Sequence, residues 1–261
     1  MAGAHAPLGN VLITGAARRI GAAIARALAA NGYAVAIHYR HSLNEAEALR
    51  DEIVMAGGKA VLCAADLENP AEAETLMDRA SDALGEPFHA LVNNASVFAF
   101  DRASDATQAG LEAHFRANVF APILLAKCFV QQLPNGARGA IVNLLDQKLA
   151  NPNPDFFSYS VGRYALAGAT TLMAQDYLGR CRVNAVAPGI TLPSGGQSKE
   201  EFEMVARHNL LGRASSSQHV AAAVRMLLSN TAINGQCIWV DGGQRFVDQP
   251  RDVMFMDEGT V

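Results

Sequence analysis

Apolar positions along the chain keep switching between two kinds of pattern. Val11-Leu12-Ile13 is a short apolar run that breaks into the small-residue turn Thr14-Gly15-Ala16-Ala17. Ile20, Ala23, Ile24, Ala27 and Leu28 then recur at helical spacing on one face. Further runs at Tyr33–Tyr39, Ala60–Ala64, Ala90–Asn93, Ala140–Leu145, Arg182–Val186 and Cys237–Val240 predict more buried strands. Helix faces lie between them: Ala46, Leu49 and Ile53; Leu76, Met77 and Ala80; Val220, Val224, Leu227 and Leu228. Ser42 with Glu45 reads as a capping box, and Asn69-Pro70 as an N-cap followed by a first helical residue. Gly32 and Gly57-Gly58 read as helix stops. A longer helical region runs from about Asp105 to Gln132, with Pro122 as the place where it would break. Another runs from near Phe157 to Leu178. Strands alternating with helices predict an α/β fold, a doubly wound parallel sheet of about seven strands covered on both faces. No repeat or linker divides the pattern, so residues 1–261 read as one domain.

Composition narrows the partners. Half of the 261 residues are apolar, which suits one large two-sided core. A net charge of −4 gives no reason to expect nucleic acid or an anionic membrane as the partner. No uninterrupted apolar run reaches the roughly 18 residues of a membrane span, and the N-terminus lacks a secretion signal, which points to a cytoplasmic protein. Cys63, Cys128, Cys181 and Cys237 are scattered in apolar surroundings and read as buried free thiols. The histidines show no metal-ligand spacing, so no metal is expected.

The first strand, turn and helix have the form of a dinucleotide site. Glycine lets the backbone approach a pyrophosphate, and the first N–H groups of the helix point at its charge. The glycines here, Gly15 and Gly21, do not follow the G-x-G-x-x-G spacing. An NAD site would also want an acid about 20 residues further on, at the end of the second strand. Tyr39-Arg40-His41-Ser42 has none; Arg40 can instead form charge-assisted bonds to a 2′-phosphate, with Ser42 and Arg18 close by. NADPH is the cofactor this favours.

Thr14-Gly15-x5-Gly21, Asn93-Asn94-Ala95, Asn118, Tyr159 and Pro188-Gly189 together resemble the short-chain dehydrogenase/reductases, over roughly residues 8–245. That resemblance implies a Rossmann-type fold and a homotetramer. It also implies a cofactor bound by Gly15, Arg18, Arg19, Ile20, Gly21, Tyr39, Arg40, Ser42, Asp66, Leu67, Asn94, Ala95, Pro188 and Gly189, with Asp66 facing the adenine. Within the family the chain is similar to pteridine reductases. Arg19 replaces the middle glycine, Ser96 and Phe98 stand where those enzymes hold the pterin, and Asp146 replaces the usual serine before Tyr159. The resemblance assigns Arg19, Ser96 and Phe98 to substrate and Asp146, Tyr159, Arg163 and Asn118 to catalysis, with Asn118 ordering a water.

Tyr159 and Arg163 are one helical turn apart, so both project from one face. Most of the family has lysine at the second position; arginine keeps a charge that would lower the Tyr159 pKa, but its fixed planar fork positions differently. Asp146 closes an apolar strand, which should raise its pKa and let it hold a proton. These features fit NADPH-dependent reduction of a C=N bond in a pterin or dihydropterin, with Phe98 stacked on the ring. Two other readings stay open: a carbonyl reductase of the 3-ketoacyl type, and an NADP-binding protein impaired by Arg163. Thr191–Ser198 reads as a lid over the site, and the apolar tail 244–261 as a contact with a neighbouring subunit.

Overall fold

The computed structural model describes residues 9–193 and 197–256. Seven parallel strands form one sheet: β1 (Gly9–Ile13), β2 (Tyr33–Tyr39), β3 (Ala60–Ala64), β4 (Phe88–Asn93), β5 (Gly139–Leu144), β6 (Cys181–Pro188) and β7 (Cys237–Val240). Their order across the sheet is β3-β2-β1-β4-β5-β6-β7. Successive side chains leave a strand on opposite faces. Val11 and Ile13 of β1 therefore enter one core with Val35, Ile37, Val92 and Val142, while Leu12 enters the other with Ala36, Leu91 and Ile141.

Helices α1 (Arg19–Ala30), α2 (Leu43–Met55) and, late in the chain, α8 (Ser217–Ser229) cover the first face through Ile24, Leu28, Leu49, Val224 and Leu227. Helices α3 (Pro70–Leu84), α5 (Ala121–Gln132) and α6 (Phe157–Asp176) cover the second through Leu76, Met77, Leu125, Phe129 and Met173. The order of the strands reverses between β1 and β4. In such a sheet ligands bind outside the carboxyl ends of the strands at that switch point.

Four details differ from the sequence reading. Ser42 is the N-cap of α2 but makes no capping bond; Glu45 instead turns to Arg18 (3.5 Å), so the capping box does not form. The long helical region does not break at Pro122. It runs as α4 (Gln108–Phe115), a π turn over Arg116–Phe120, and α5. Proline lacks the N–H that would bond the carbonyl of Asn118, and the ladder widens just before it. The stretch Gln108–Gln132 has the length and apolarity a membrane span needs, yet Leu125, Ala126 and Phe129 are buried against the sheet. Of the four thiols, Cys63 and Cys181 are buried, while Cys128 and Cys237 are only half-buried. Short helix α7 (Lys199–Val205), closed by a capping box between Ser198 and Glu201, was not anticipated.

Candidate active site

The turn after β1 is stitched from several directions. Thr14 Oγ1 accepts the N–H groups of Asn94 (2.9 Å) and Ala95 (3.0 Å), and Asn94 Nδ2 donates to the carbonyls of Thr14 (2.9 Å) and Gly15 (3.0 Å). Gly15 N–H donates to His38 Nδ1 (2.9 Å), which leaves Nε2–H for the carbonyl of Ala65 (3.1 Å). Burial holds His38 well below the usual imidazole value, at about 4, so the ring is neutral. Gly15 has φ +61°, and a Cβ on Gly21 would lie 2.2 Å from the carbonyl oxygen of Gly15. Only glycine fits there.

Arg19 sits at φ +56°, in the left-handed region that favours glycine. A non-glycine residue in that region costs on the order of 1 kcal/mol and tends to mark a functional turn. Arg18, the N-cap of α1, makes no side-chain cap bond, and the first turn of the helix holds no acid. The N-terminal N–H groups of α1 are thus available to an anion, which fits a pyrophosphate.

The structure gathers nearly all of the expected residues in one cleft of about 660 Å³. Gly15, Arg18, Arg19, Ile20, Gly21, Tyr39, Arg40, Ser42, Asp66, Leu67, Asn94, Ala95, Ser96, Phe98, Asp146, Tyr159, Arg163, Pro188 and Gly189 all line it. Arg40 does not stand free: its guanidinium meets Asp66 (2.9 Å) and Glu68 in a shared ion pair. A 2′-phosphate there would compete with two carboxylates. Glu68, absent from the sequence reading, carries no motif that could have revealed it.

Asn118 alone stands apart from the cavity wall. Its Oδ1 accepts from Val97 N–H (2.8 Å) and its Nδ2 donates to the Val97 carbonyl (2.9 Å). The side-chain amide holds the loop that carries Ser96 and Phe98.

At the other end, Asp146 follows β5 and caps a 3-10 turn, Gln147–Leu149; its Oδ1 accepts from Lys148 N–H (2.9 Å). Tyr159 Oη donates to Asp146 Oδ2 at 2.7 Å. Burial raises the Asp146 carboxyl above the usual range, against the pull of the Lys148 amide, Tyr159 and Arg163. Burial also pushes the Tyr159 hydroxyl well above its ordinary value. Arg163 pulls it down but does not win, and Asp146 adds to the rise. The expected depression of the Tyr159 pKa is therefore not found, because desolvation outweighs one nearby cation. Tyr159 is held as a proton donor.

Arg163 is itself buried. Its Nη1 donates to the Leu144 carbonyl (2.9 Å), its guanidinium carbon lies 4.9 Å from the Tyr159 ring centre, and its Nε has no protein partner. Phe98 stacks on Phe156 (centroids 4.0 Å, 15°) and meets Tyr159 edge-on at 4.7 Å. Phe156, the N-cap of α6, is with Arg19 one of the two non-glycine residues with positive φ among the described residues, at +57°. Gly189 is needed for close approach, since a Cβ would lie 2.5 Å from Gln244 Oε1.

The cleft also holds groups that the sequence did not place there: Lys148, Gln244, Gln249, Asp252, Val253 and Met254. The tail was expected to meet a neighbouring subunit. Gln244, Gln249, Asp252, Val253 and Met254 of that tail line this chain's own cleft, while Phe246 stays exposed. Within the expected lid, residues 194–196, which include Gly195 and Gly196, lie outside the described residues. Among the described residues no cluster of His, Cys, Asp and Glu could hold a metal ion.

A doubly wound sheet with a glycine turn at its switch point and a tyrosine and a cation one helical turn apart defines a class of nucleotide-dependent oxidoreductase. The short chain dehydrogenase family model matches residues 9–204, and the chain belongs to that family. Within it, the chain is similar to the FolM alternative dihydrofolate reductase 1 of Brucella canis, solved as a complex with NADP. The two are 40% identical, with a TM-score of 0.90 over 95% of this chain and 98% of that one. It is also 32% identical to pteridine reductase 1 of Leishmania tarentolae over 89% of this chain and 94% of that protein. The 3-oxoacyl-[acyl-carrier-protein] reductase of a Synechocystis strain is 30% identical, over 89% and 95%.

Proposed function

We propose that the protein is an NADPH-dependent reductase of a pterin or dihydropterin. The observation that carries this is the contact between Tyr159 Oη and Asp146 Oδ2 (2.7 Å) in the cleft that Phe98, Ser96 and Arg19 also line. The likeness to the Brucella alternative dihydrofolate reductase and to the Leishmania pteridine reductase supports it. NADPH, when bound, would supply the hydride for the carbon of the C=N bond. Gly15, Gly21 and the N-terminus of α1 suit its pyrophosphate, Arg40, Ser42 and Arg18 its 2′-phosphate, and the unpartnered Nε of Arg163 its nicotinamide ribose.

The protein's own part is the proton. Tyr159, kept protonated, gives its proton to the ring nitrogen and is recharged from the Asp146 carboxyl, whose burial favours its protonated form. Phe98, backed by Phe156, offers a flat face to the heterocycle. A carbonyl substrate would want a neutral hydroxyl where Asp146 stands. We further propose that the chain works as a homotetramer, which would cover the exposed Phe120, Tyr164 and Leu172.

Oxidation of NADPH by the purified protein, followed with dihydrobiopterin, dihydrofolate and a 3-ketoacyl thioester, tests the reading. Turnover of a pterin is expected; activity on the thioester alone would overturn it. Intact NADPH binding with no turnover of any substrate, unchanged in Arg163→Lys, would instead identify a binding protein.

A further inference from the structure

After β7 the chain does not leave the molecule. It turns through Gly242-Gly243 and a 3-10 turn at Gln244–Phe246, then crosses the mouth of the cleft, where Gln249, Asp252, Val253 and Met254 join the same cavity wall as Asp146 and Phe98. Three sets of contacts hold it there. Lys148 Nζ pairs with Asp252 Oδ2 at 2.9 Å, both side chains nearly buried, and donates as well to Asn153 Oδ1 (2.7 Å) and the Asp155 carbonyl (3.1 Å). Asp155, its side chain wholly buried, accepts from Arg102 Nη2 (2.8 Å) on one oxygen. Its other oxygen takes Arg251 Nε (2.7 Å) and the Asp252 N–H (2.8 Å). Phe255 packs on Phe156 (6.0 Å, 23°), the ring that backs Phe98.

Burial alone would raise the Asp155 carboxyl, but Arg251, the Asp252 amide and Arg102 hold it down at about 2. A buried ion pair adds little net stability, because desolvating two charges offsets their attraction. Its consequence here is positional. Lys148 is also the residue whose N–H caps onto Asp146 Oδ1, so one residue ties the tail to the proton-storing carboxylate.

We propose that Gln249–Met256 forms the outer wall of the substrate half of the cleft. In this arrangement Val253 and Met254 are specificity-determining residues that set its width, and the Lys148–Asp252 pair is the clasp that seats the wall. The specificity role rests on the reductase reading above; the clasp does not.

Two readouts on the full-length protein keep these apart. The first needs no substrate. Hydrogen exchange of the amides of 251–256 should quicken by about tenfold in Asp252→Asn and Lys148→Met, with exchange in α1 and the NADPH Kd unchanged. The second uses whichever of the pterins or the thioester the wild type reduces. Met254→Trp should raise KM by about tenfold and leave kcat within about threefold, as expected of a narrowed cleft rather than damaged chemistry. Val253→Trp guards against a local repacking that hides the effect. Unchanged tail exchange in both clasp variants overturns the clasp, and an unmoved KM in both tryptophan variants overturns the wall. Turnover of the thioester alone sinks the pterin reading while still testing the wall. A wild type inactive on everything sinks the specificity role along with the reductase reading.

Discussion

Asp146 and Tyr159 show how one strand end can make a proton store from ordinary residues. Burial raises both groups, and a 2.7 Å bond joins Tyr159 Oη to Asp146 Oδ2, so that a proton on the carboxyl can follow the one that the tyrosine gives up. Two consequences differ in sign. If Asp146 supplies the proton, kcat falls as pH rises through its raised pKa. Asp146→Asn should lack that limb and lose about a hundredfold or more in kcat, measured by pH-resolved initial rates. The folded state, however, binds this proton more tightly than the unfolded chain, so stability is lost as pH rises through the folded pKa. Asparagine escapes that loss, and the Tm of Asp146→Asn at pH 8 should exceed that of the wild type. A lower Tm with full activity would refute the assignment. Residue types at this scale were legible: Asp146, Tyr159, Arg163, Phe98 and Arg19 could all be named from spacing and resemblance. What the sequence hid was the balance of burial against charge that decides the Tyr159 pKa.

Between elements, His38 is the joint. It lies in β2, receives Gly15 N–H from the turn after β1, and donates to Ala65 beyond β3. Its folded pKa is about 4, below the ordinary 6.5. Below pH 6.5 the unfolded chain takes up a proton that the folded one refuses, so stability falls as pH drops from about 6.5 towards 4, by on the order of 3 kcal/mol. His38→Gln keeps an acceptor and a donor without titrating. The wild-type urea midpoint should therefore fall more steeply across that range than the variant's, and parallel curves would remove this role for His38.

Elements themselves were readable because each strand and helix writes its own period. β2, β3 and β7 fall where the apolar runs do, and Ala46, Leu49 and Ile53 are the buried face of α2. The failures were at ends, where several partners compete for one side chain. Glu45 could cap Ser42 or pair with Arg18, and only the approach of α1 decides for Arg18.

For the whole molecule, the proposed tetramer gives a direct check. Leu172 is 65% exposed on the outer stripe of α6 that also carries Tyr164. An apolar residue this open is commonplace when single, but a stripe of them marks a contact surface. Leu172→Glu should reduce the mass measured by light scattering while leaving the fold intact by circular dichroism. Wild-type protein eluting as a monomer would end the proposal.

The sequence by itself determined the layered sheet and the glycine turn at its switch point, and with the family resemblance it named the candidate site residues. The sheet and the turn are encoded within one turn or one period of the chain, where spacing dictates which side chains share a face. Only the tertiary structure decided that Arg40 faces Asp66 and Glu68, and that the tail lies over its own cleft, tied through Asp252 to Lys148. These contacts join residues far apart in the chain, whose meeting depends on how the sheet brings its strand ends together. No local pattern carries that information.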